Sequence, residues 1–190
     1  MKELQERILK EGRILPGSIL KVDSFLNHQI DMELLDHIGA YFHEKFRDAG
    51  MTRVLTIEAS GIPMACMTAY HFHVPAVFAK KARAANLGPD VYKSTVHSYT
   101  YDKDYQIALS RPYLQADDTV LIIDDVLANG QAVHGLLDLC EQAGAKVGGI
   151  GICIEKGFQP GGDALRKRGI RVESLAIIDA MDDHHIELRK

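Results

Sequence analysis

The stretch from residue 120 to residue 132 reads Val120-Leu121-Ile122-Ile123-Asp124-Asp125-Val126-Leu127-Ala128-Asn129-Gly130-Gln131-Ala132. Its four leading apolar residues predict a buried strand that carries two adjacent carboxylates to its carboxyl end. The small residues that follow predict a loop opening directly into a helix. Backbone N–H groups at a helix N-terminus bind phosphate without basic side chains, and carboxylates accept hydrogen bonds from a sugar diol. The plain alternative is a strand that ends in a solvated acidic turn before a capped helix.

Helical and strand patterns alternate along the chain, which predicts an α/β fold with a parallel sheet flanked by helices. The predicted helices cover residues 2–11, 31–47, 61–72 (apolar on most faces and therefore buried), 131–143 and 163–168. The predicted strands cover residues 53–57, 75–79, 119–123, 146–154 and 172–178. Residues 80–103 have weak periodicity and predict a long, functional surface loop that includes a hairpin reaching into residues 105–109.

The composition is that of a globular protein and argues against two classes of partner. Of the 190 residues, 46% are hydrophobic, so the chain can bury a substantial core. Lysine and arginine number 22 against 26 acidic residues, and a net charge of −4 argues against a nucleic-acid partner. No apolar run approaches the roughly 20 residues of a membrane span, so we expect no membrane partner.

The chain start and the cysteines together predict a cytoplasmic protein. The first seven residues are charged and helical in pattern, unlike a signal peptide. Cys66, Cys140 and Cys153 lie far apart, whereas disulfide frameworks and zinc sites have closer, paired spacing. We therefore expect three buried thiols in a reducing compartment.

Residues 120–132 resemble the phosphoribosyl pyrophosphate motif of the type I phosphoribosyltransferases: four apolar residues, two acids, two apolar residues and a loop of small residues. The resemblance implies that Asp124 and Asp125 are the catalytic carboxylates, which hold the ribose hydroxyls and stabilise developing positive charge. It also implies a set of residues that bind the 5-phosphate, namely Ala128, Asn129, Gly130, Gln131 and Ala132. The expected fold is the parallel-sheet type I phosphoribosyltransferase fold with an N-terminal hood.

Two further segments are similar to parts of the same family. Thr56-Ile57-Glu58-Ala59-Ser60-Gly61 looks like the pyrophosphate loop, which implies a role for Ser60. The basic residues from Lys80 to Arg83 resemble the mobile flap that closes over pyrophosphate, which implies a role for Lys81. On their own, these segments would be an ordinary turn and a solvated charged loop.

Two segments resemble the hood that covers the base in this family. They are Gly17-Ser18-Ile19-Leu20-Lys21-Val22-Asp23-Ser24-Phe25-Leu26-Asn27-His28-Gln29 and Glu155-Lys156-Gly157-Phe158. The likeness is to bacterial members that act on xanthine. It implies that Leu20 packs against the face of the purine and that Asn27 both donates to and accepts from the purine edge. It also implies that Lys156 contacts a ring oxygen or a ring anion. Their ordinary readings are a core leucine, a turn asparagine and a solvated lysine. The likeness spans the whole chain and implies one domain, residues 1–190, with hood elements at about 1–30 and in the C-terminal part.

The implied activity is transfer of the 5-phosphoribosyl group from phosphoribosyl pyrophosphate to xanthine in purine salvage. It implies Mg²⁺ bound mainly through substrate oxygens, no protein metal site, and a homodimer. Guanine, hypoxanthine or adenine remain alternative bases. Ala128 stands where the hypoxanthine–guanine branch has an aspartate, but the adenine branch has a small residue there too. A regulator that senses phosphoribosyl pyrophosphate is the other alternative, although the chain has neither room for an added DNA-binding domain nor the net charge of an RNA-binding face.

Overall fold

The computed structural model describes residues 1–81, 88–98, 103–182 and 185–190. The helices are α1 Lys2–Glu11, α2 Met32–Phe46, α3 Ile62–Phe72, α4 Gln131–Ala143 and α5 Gly161–Lys167. The strands are β1 Arg13–Leu15, β2 Ile19–Lys21, β3 Arg53–Ile57, β4 Ala76–Lys81, β5 Val91–Ser98, β6 Lys103–Ser110, β7 Thr119–Leu127, β8 Lys146–Lys156, β9 Val172–Met181 and β10 Ile186–Leu188. A π-helical turn spans Asp23–Asn27, and a 3₁₀ turn spans Arg111–Tyr113.

Within the described residues, eight strands form one sheet in the order β10-β9-β8-β7-β3-β4-β6-β5. The five central strands from β9 to β4 run parallel, while β10, β6 and β5 pair antiparallel at the two ends. Strands β1 and β2 form a separate short hairpin. The predicted α/β class with a mostly parallel sheet flanked by helices is confirmed.

The strand order reverses direction at the pair β3 and β7, which are neighbours in the sheet although far apart in sequence. From β3 the chain passes through α3 to β4 on one side, and from β7 it passes through α4 to β8 on the other. Ligands of open α/β sheets bind in the crevice beyond the carboxyl ends of such strands. This topology therefore places residues 58–61, after β3, beside the acidic end of β7.

The two faces of the sheet bury separate apolar clusters. Residues of α1, α2 and α3 fill one, and residues of α4 and the β5–β6 hairpin contribute to the other. Phe42 and Phe46 of α2 are fully buried in the first cluster. Glycines in β8 make room for these rings, because a Cβ at Gly149 would lie 2.3 Å from Phe46 Cε1 and one at Gly151 would lie 2.7 Å from Phe42 Cε1.

The predicted loop over residues 80–103 is wrong at residues 80, 81, 91–98 and 103, which the structure places in strands. Strand β4 continues to Lys81, and β5 pairs with β6 over eight residue pairs, which confirms the predicted hairpin. Tyr92, Ser94 and Val96 are buried at every second position of β5. Their partner is α4, where a Cβ at Gly135 would lie 2.6 Å from Val96 Cγ2. Residue Arg83 of the predicted flap lies outside the described residues.

Three other expectations need correction or extension. Strand β7 runs on to Leu127, so the acidic pair lies inside the strand and not after it. Helix α3 is buried on one side only, and its outer side exposes Tyr70 and Cys66, so the expectation of three buried thiols fails at Cys66. The sequence patterns also did not predict the β1–β2 hairpin or β10, which are each three residues long per strand.

We predict that Gly151→Ala destabilises the protein by roughly 1–3 kcal/mol, because its methyl group would overlap the fully buried Phe42 and Ile123 side chains. Urea denaturation measures the change in the free energy of unfolding. Gly88→Ala is the matched control, since a Cβ there meets no described atom within 4 Å. Equal stabilities of the two variants would contradict the packing argument.

Candidate active site

A cavity of about 500 Å³ opens at the carboxyl ends of β7 and β8. Four structural parts surround it: the β1–β2 hairpin, the β5–β6 hairpin, the β7–α4 junction and the turn after β8. The lining residues are Gly17, Ile19, Val96, His97, Tyr105, Asp124, the segment Val126–Val133, Lys156 and Gln159. We refer to this space as the cavity.

The two predicted catalytic carboxylates leave β7 in different directions, because neighbouring strand residues point to opposite faces. Asp124 is only 4% exposed and lines the cavity. The Asp125 backbone N–H donates to Asp124 Oδ1 at 3.0 Å. On the other side, Asn27 Nδ2 donates to Asp125 Oδ2 at 3.1 Å. The π-helical turn of the hood region is thereby tied to the acidic pair.

Burial and the neighbouring Asp125 carboxylate raise the pKa of Asp124 well above its ordinary value. The same negative potential extends to nearby groups. Burial first, and then the charge of Asp124, raise the pKa of Tyr105, and burial followed by both carboxylates raises the pKa of the Cys153 thiol. A site with this excess of negative potential stabilises a positive charge placed beside it.

The β7–α4 loop presents a helix N-terminus to the cavity. Gly130 is the N-cap of α4 with φ of 83°, and no side chain of the described residues caps it. By helix geometry the first N–H groups, from Gln131 to Val133, have no acceptor within the helix. These groups and the helix dipole favour an anion at this position. The predicted phosphate-binding residues 128–132 all line the cavity.

Gly161, at the start of α5, packs against the backbone of this loop. Its N–H donates to the Ala128 carbonyl at 3.1 Å. A Cβ at Gly161 would lie 2.3 Å from that oxygen and 2.8 Å from the Gly130 nitrogen, so the contact requires glycine. The sequence patterns did not predict this role for Gly161. The Pro160-Gly161-Gly162 triplet was the available signal, because consecutive glycines mark a close approach of backbone.

The loop after β3 packs directly against the acidic pair. A Cβ at Gly61 would lie 2.1 Å from Thr56 Oγ1 and 3.3 Å from Asp124 Oδ1. The Thr56 hydroxyl is buried and has no hydrogen-bond partner among the described residues. Ser60, predicted to act in this loop, is partly buried one residue before Gly61. The structure therefore brings the predicted pyrophosphate loop next to Asp124, as the strand order requires.

The residues predicted to contact the base do not all face the cavity. Lys156 lines it, and its Nζ donates to the Ser18 carbonyl at 2.8 Å. Burial lowers the pKa of Lys156. Leu20 packs against the core on the α1–α2 side, whereas its neighbour Ile19 lines the cavity. Asn27 is bonded to Asp125 and is not among the lining residues.

Two charged features complete the surroundings. The Lys81 side chain is exposed, and its Nζ lies 5.6 Å from the Tyr105 ring centroid. The Lys81 backbone N–H donates to Glu58 Oε1 at 2.7 Å. On the β5–β6 hairpin, His97 Nδ1 lies 2.7 Å from Asp104 Oδ1. Sequence reasoning missed His97, Tyr105 and Gln159, because their contribution depends on how the hairpin and the turn after β8 fold over the crevice.

Comparison with known proteins fits this geometry. The family described as "Phosphoribosyl transferase domain" matches residues 25–182. The chain therefore belongs to the phosphoribosyltransferase family, and the resemblance drawn from residues 120–132 is confirmed.

The curated relatives place the chain more narrowly. A protein of Bifidobacterium adolescentis named xanthine phosphoribosyltransferase is 55% identical over 100% of both chains. A protein of the same name from Ruminiclostridium cellulolyticum is 54% identical over 96% of both, and one from Limosilactobacillus reuteri is 50% identical over 100% of both.

Solved structures agree on the fold. An APRTase from Giardia lamblia in complex with 9-deazaadenine superposes with a TM-score of 0.79 at 24% identity, covering 94% of this chain and 98% of that one. An adenine phosphoribosyltransferase from Rhodothermus marinus gives a TM-score of 0.75 at 24% identity, covering 94% and 100%. At this identity the likeness shows the shared fold alone.

We predict that Asp124→Asn raises the melting temperature of the ligand-free protein at pH 7.5. The pKa of Asp124 is higher in the folded than in the unfolded chain, so its ionisation opposes folding as the pH rises towards the folded value. Asparagine removes that charge and keeps the oxygen that accepts from the Asp125 N–H. The increase in melting temperature should become smaller as the pH falls towards about 4, where the carboxyl is increasingly protonated in both the folded and the unfolded chain.

Differential scanning fluorimetry at both pH values measures this shift, with the exposed Asp117→Asn as the control. An Asp124→Asn variant that melts below the wild type at pH 7.5 would show that its carboxylate is stabilised in the fold.

Proposed function

We propose that the protein transfers the 5-phosphoribosyl group from phosphoribosyl pyrophosphate to xanthine, giving xanthosine 5′-monophosphate and pyrophosphate in purine salvage. The observation that carries the proposal is the pairing, in one cavity, of an uncapped helix N-terminus with a buried carboxylate at the end of the adjoining strand. The names of relatives that are 50% to 55% identical over nearly the whole chain support xanthine as the base.

In the proposed reaction the 5-phosphate binds the N–H groups at the start of α4. The ribose then lies over Asp124, and the pyrophosphate points towards residues 58–61, which pack against that carboxylate. The bond from the anomeric carbon to the pyrophosphate oxygen breaks, and the bond to the purine nitrogen forms from the opposite face. Positive charge that develops on the sugar ring lies beside Asp124, where the negative potential stabilises it.

The purine nitrogen must lose its proton in this reaction. Ala128 offers no acceptor for the proton. Xanthine has a second ring carbonyl that makes it more acidic than hypoxanthine, so it can arrive partly as the anion. The proton then leaves to solvent before the C–N bond forms, and the demand for a general base in the protein is reduced.

Magnesium is part of the proposal, and the residues present fit it in one way. The described residues contain no group of three or more His, Cys, Asp or Glu side chains placed to hold an ion. The cavity does offer the Asp124 carboxylate, and Mg²⁺ is commonly bound by one or two carboxylates together with substrate phosphates. The bound ion would neutralise charge on the departing pyrophosphate, and substrate oxygens would be its main ligands.

The choice among bases rests on Lys156. Lys156 lines the cavity at the end of β8, where a base would lie when the 5-phosphate is held by residues 128–132, and two of its three ammonium protons remain beyond the bond to the Ser18 carbonyl. A cationic donor favours an oxo group or the xanthine anion and disfavours adenine, which presents an amino donor. Guanine and hypoxanthine also carry an oxo group and are the closest competitors.

A cytoplasmic location completes this part of the proposal. The described part of the chain contains no helix long and apolar enough to cross a membrane. The free thiol of Cys66 is exposed, which a reducing compartment tolerates.

We expect catalytic efficiency to be highest with xanthine when the protein, Mg²⁺ and phosphoribosyl pyrophosphate are mixed with each purine in turn and pyrophosphate release is followed. Lys156→Ala should lower the efficiency with xanthine about ten- to a hundredfold and narrow its lead over adenine, because a charged hydrogen bond of about 1.5–3 kcal/mol is lost. The KM for phosphoribosyl pyrophosphate should change little.

Higher efficiency with adenine or hypoxanthine in the wild type would overturn xanthine as the substrate. Absence of pyrophosphate release with every purine would favour the regulator. A Lys156→Ala variant that binds phosphoribosyl pyrophosphate weakly and keeps its base preference would move Lys156 to the phosphate site.

We also propose that two copies of the chain pair through the outer sides of α2 and α3. An apolar groove there is lined by Ile30, Met32, Leu35, Asp36, Pro63, Cys66, Met67 and Tyr70. Met32 and Tyr70 are 60% and 68% exposed, which is unusual for side chains of this size that share one surface. A homodimer also agrees with the way subunits pair in type I phosphoribosyltransferases.

Light scattering should give twice the chain mass of 21.1 kDa for the wild type. Tyr70→Glu should shift the mass towards the monomer, because a carboxylate would be buried without a partner. Tyr113→Glu is the control, since Tyr113 is 60% exposed and does not line the groove. A wild type of 21.1 kDa would contradict the dimer, and loss of dimer in both variants would contradict this face.

A further inference from the structure

Gln159 lies in the turn between β8 and α5 and lines the cavity. Its backbone N–H donates to the Lys156 carbonyl at 2.9 Å, which closes a turn directly after β8. Two residues later, the Gly161 N–H donates to the Ala128 carbonyl at 3.1 Å. The turn is therefore fixed at one end to the sheet and at the other to the β7–α4 loop. Gln159 and Lys156 both line the cavity from this turn.

The Gln159 carboxamide lacks the partner that a buried polar group normally has. Its Oε1 is shielded from solvent and accepts no hydrogen bond from the described residues. Of the four side-chain atoms in this state within the described chain, Gln159 Oε1 alone belongs to a residue that lines the cavity. Buried acceptors without a donor are rare in folded proteins and often mark functional sites. The amide can turn about its last side-chain bond to meet a donor from the cavity.

The chemistry of the neighbouring group decides which ligand would supply that donor. The Lys156 ammonium can only donate, so it matches an oxo group of a base. Oxopurines carry a ring N–H next to the oxo group, and a carboxamide oxygen beside Lys156 matches that N–H. Adenine presents the reverse order, with an amino donor next to a ring nitrogen that accepts. Lys156 and Gln159 together therefore match the edge of an oxopurine and mismatch that of adenine.

The other carboxamide considered for the base has a different partner. Asn27 Nδ2 donates to Asp125 Oδ2, which directs that side chain to the acidic pair. Asn129 and Gln131 line the cavity from the β7–α4 loop, so Gln159 is the lining carboxamide in the same turn as Lys156. We propose that Gln159 is a specificity-determining residue, whose side-chain oxygen accepts from a ring N–H of the bound oxopurine while Lys156 donates to the adjacent oxo group. This inference rests on the proposed function.

The test replaces Gln159 by methionine, which has similar length and volume but no hydrogen-bonding amide. Gln159→Met should lower kcat/KM for xanthine about tenfold, as expected for one lost hydrogen bond. The value of kcat/KM for adenine should change less than about twofold, because adenine presents no matching donor to the Gln159 oxygen. The xanthine-to-adenine ratio of kcat/KM therefore falls. The KM for phosphoribosyl pyrophosphate should stay unchanged. The melting temperature of the ligand-free protein should not fall, because the replaced oxygen has no partner there.

Controls separate this inference from the proposed function. Gln5→Met on α1 lies outside the cavity lining and should leave all four quantities unchanged. Gln159→Leu repeats the test with a second apolar side chain in case methionine perturbs the turn. Calorimetric titration with xanthosine and adenosine 5′-monophosphates reports the same preference without turnover.

The possible results differ for the two proposals. If the wild type prefers xanthine but Gln159→Met and Gln159→Leu keep the same xanthine-to-adenine ratio, the inference fails and the function stands. A higher KM for phosphoribosyl pyrophosphate with an unchanged ratio would assign Gln159 to the phosphate site. A large fall in melting temperature with equal losses for both bases would show a structural role. A wild type without preference for xanthine would overturn the function itself.

Discussion

The hydrogen bond between the Gly161 N–H and the Ala128 carbonyl holds the two halves of the cavity together. It fixes the start of α5 against the β7–α4 loop, and the turn that carries Lys156 and Gln159 lies immediately before it. In the proposed reaction, the loop that binds the phosphate and the turn that faces the base are therefore joined directly by this hydrogen bond. Group transfer between two bound molecules depends on such positioning, because small errors in the distance between reacting atoms reduce the rate strongly. The absence of a side chain at Gly161 is what permits this contact, since any Cβ would overlap the Ala128 oxygen.

The second constraint is electrostatic and works against stability. Asp124 is buried beside Asp125, and burial together with the neighbouring charge raises its pKa. A fold selected for stability alone would place an apolar residue there, as at Ile122 and Ile123 of the same strand. Functional sites commonly retain such unfavourable groups, because a potential prepared in advance stabilises charge that develops during reaction. Among the described residues, the buried Thr56 hydroxyl beside Gly61 and the Gln159 oxygen at the cavity follow the same pattern, since neither has a hydrogen-bond partner.

Residue types that cap helices predicted the bounds of helices from the sequence. Helix α4 is capped by Gly130 and Gly144, both of which adopt positive φ, and its bounds at residues 131 and 143 were predicted without error. Asp31 caps α2 by accepting from the N–H groups of Glu33 and Leu34, as its residue type indicated. The β5–β6 hairpin was harder to predict, because the buried alternation of Tyr92, Ser94 and Val96 makes sense only once α4 packs on it. Leu20 and Ile19 show the same limit, since a three-residue strand carries too little periodicity to decide which neighbour faces the cavity.

The proposed site uses backbone groups for one substrate and side chains for the other, and this explains why the fold is shared with enzymes that act on a different base. In the proposed reaction, the phosphate binds to N–H groups at the start of α4 and beside glycines at 130 and 161, so its binding depends on backbone shape. The base that we propose would instead meet side chains on a turn and on a short hairpin, namely the cavity-lining residues Lys156, Gln159 and Ile19. Side chains can change while the backbone is kept, so one fold can serve different bases. A superposition at 24% identity with adenine phosphoribosyltransferases is then expected, and base choice must be argued from the lining residues and not from the fold.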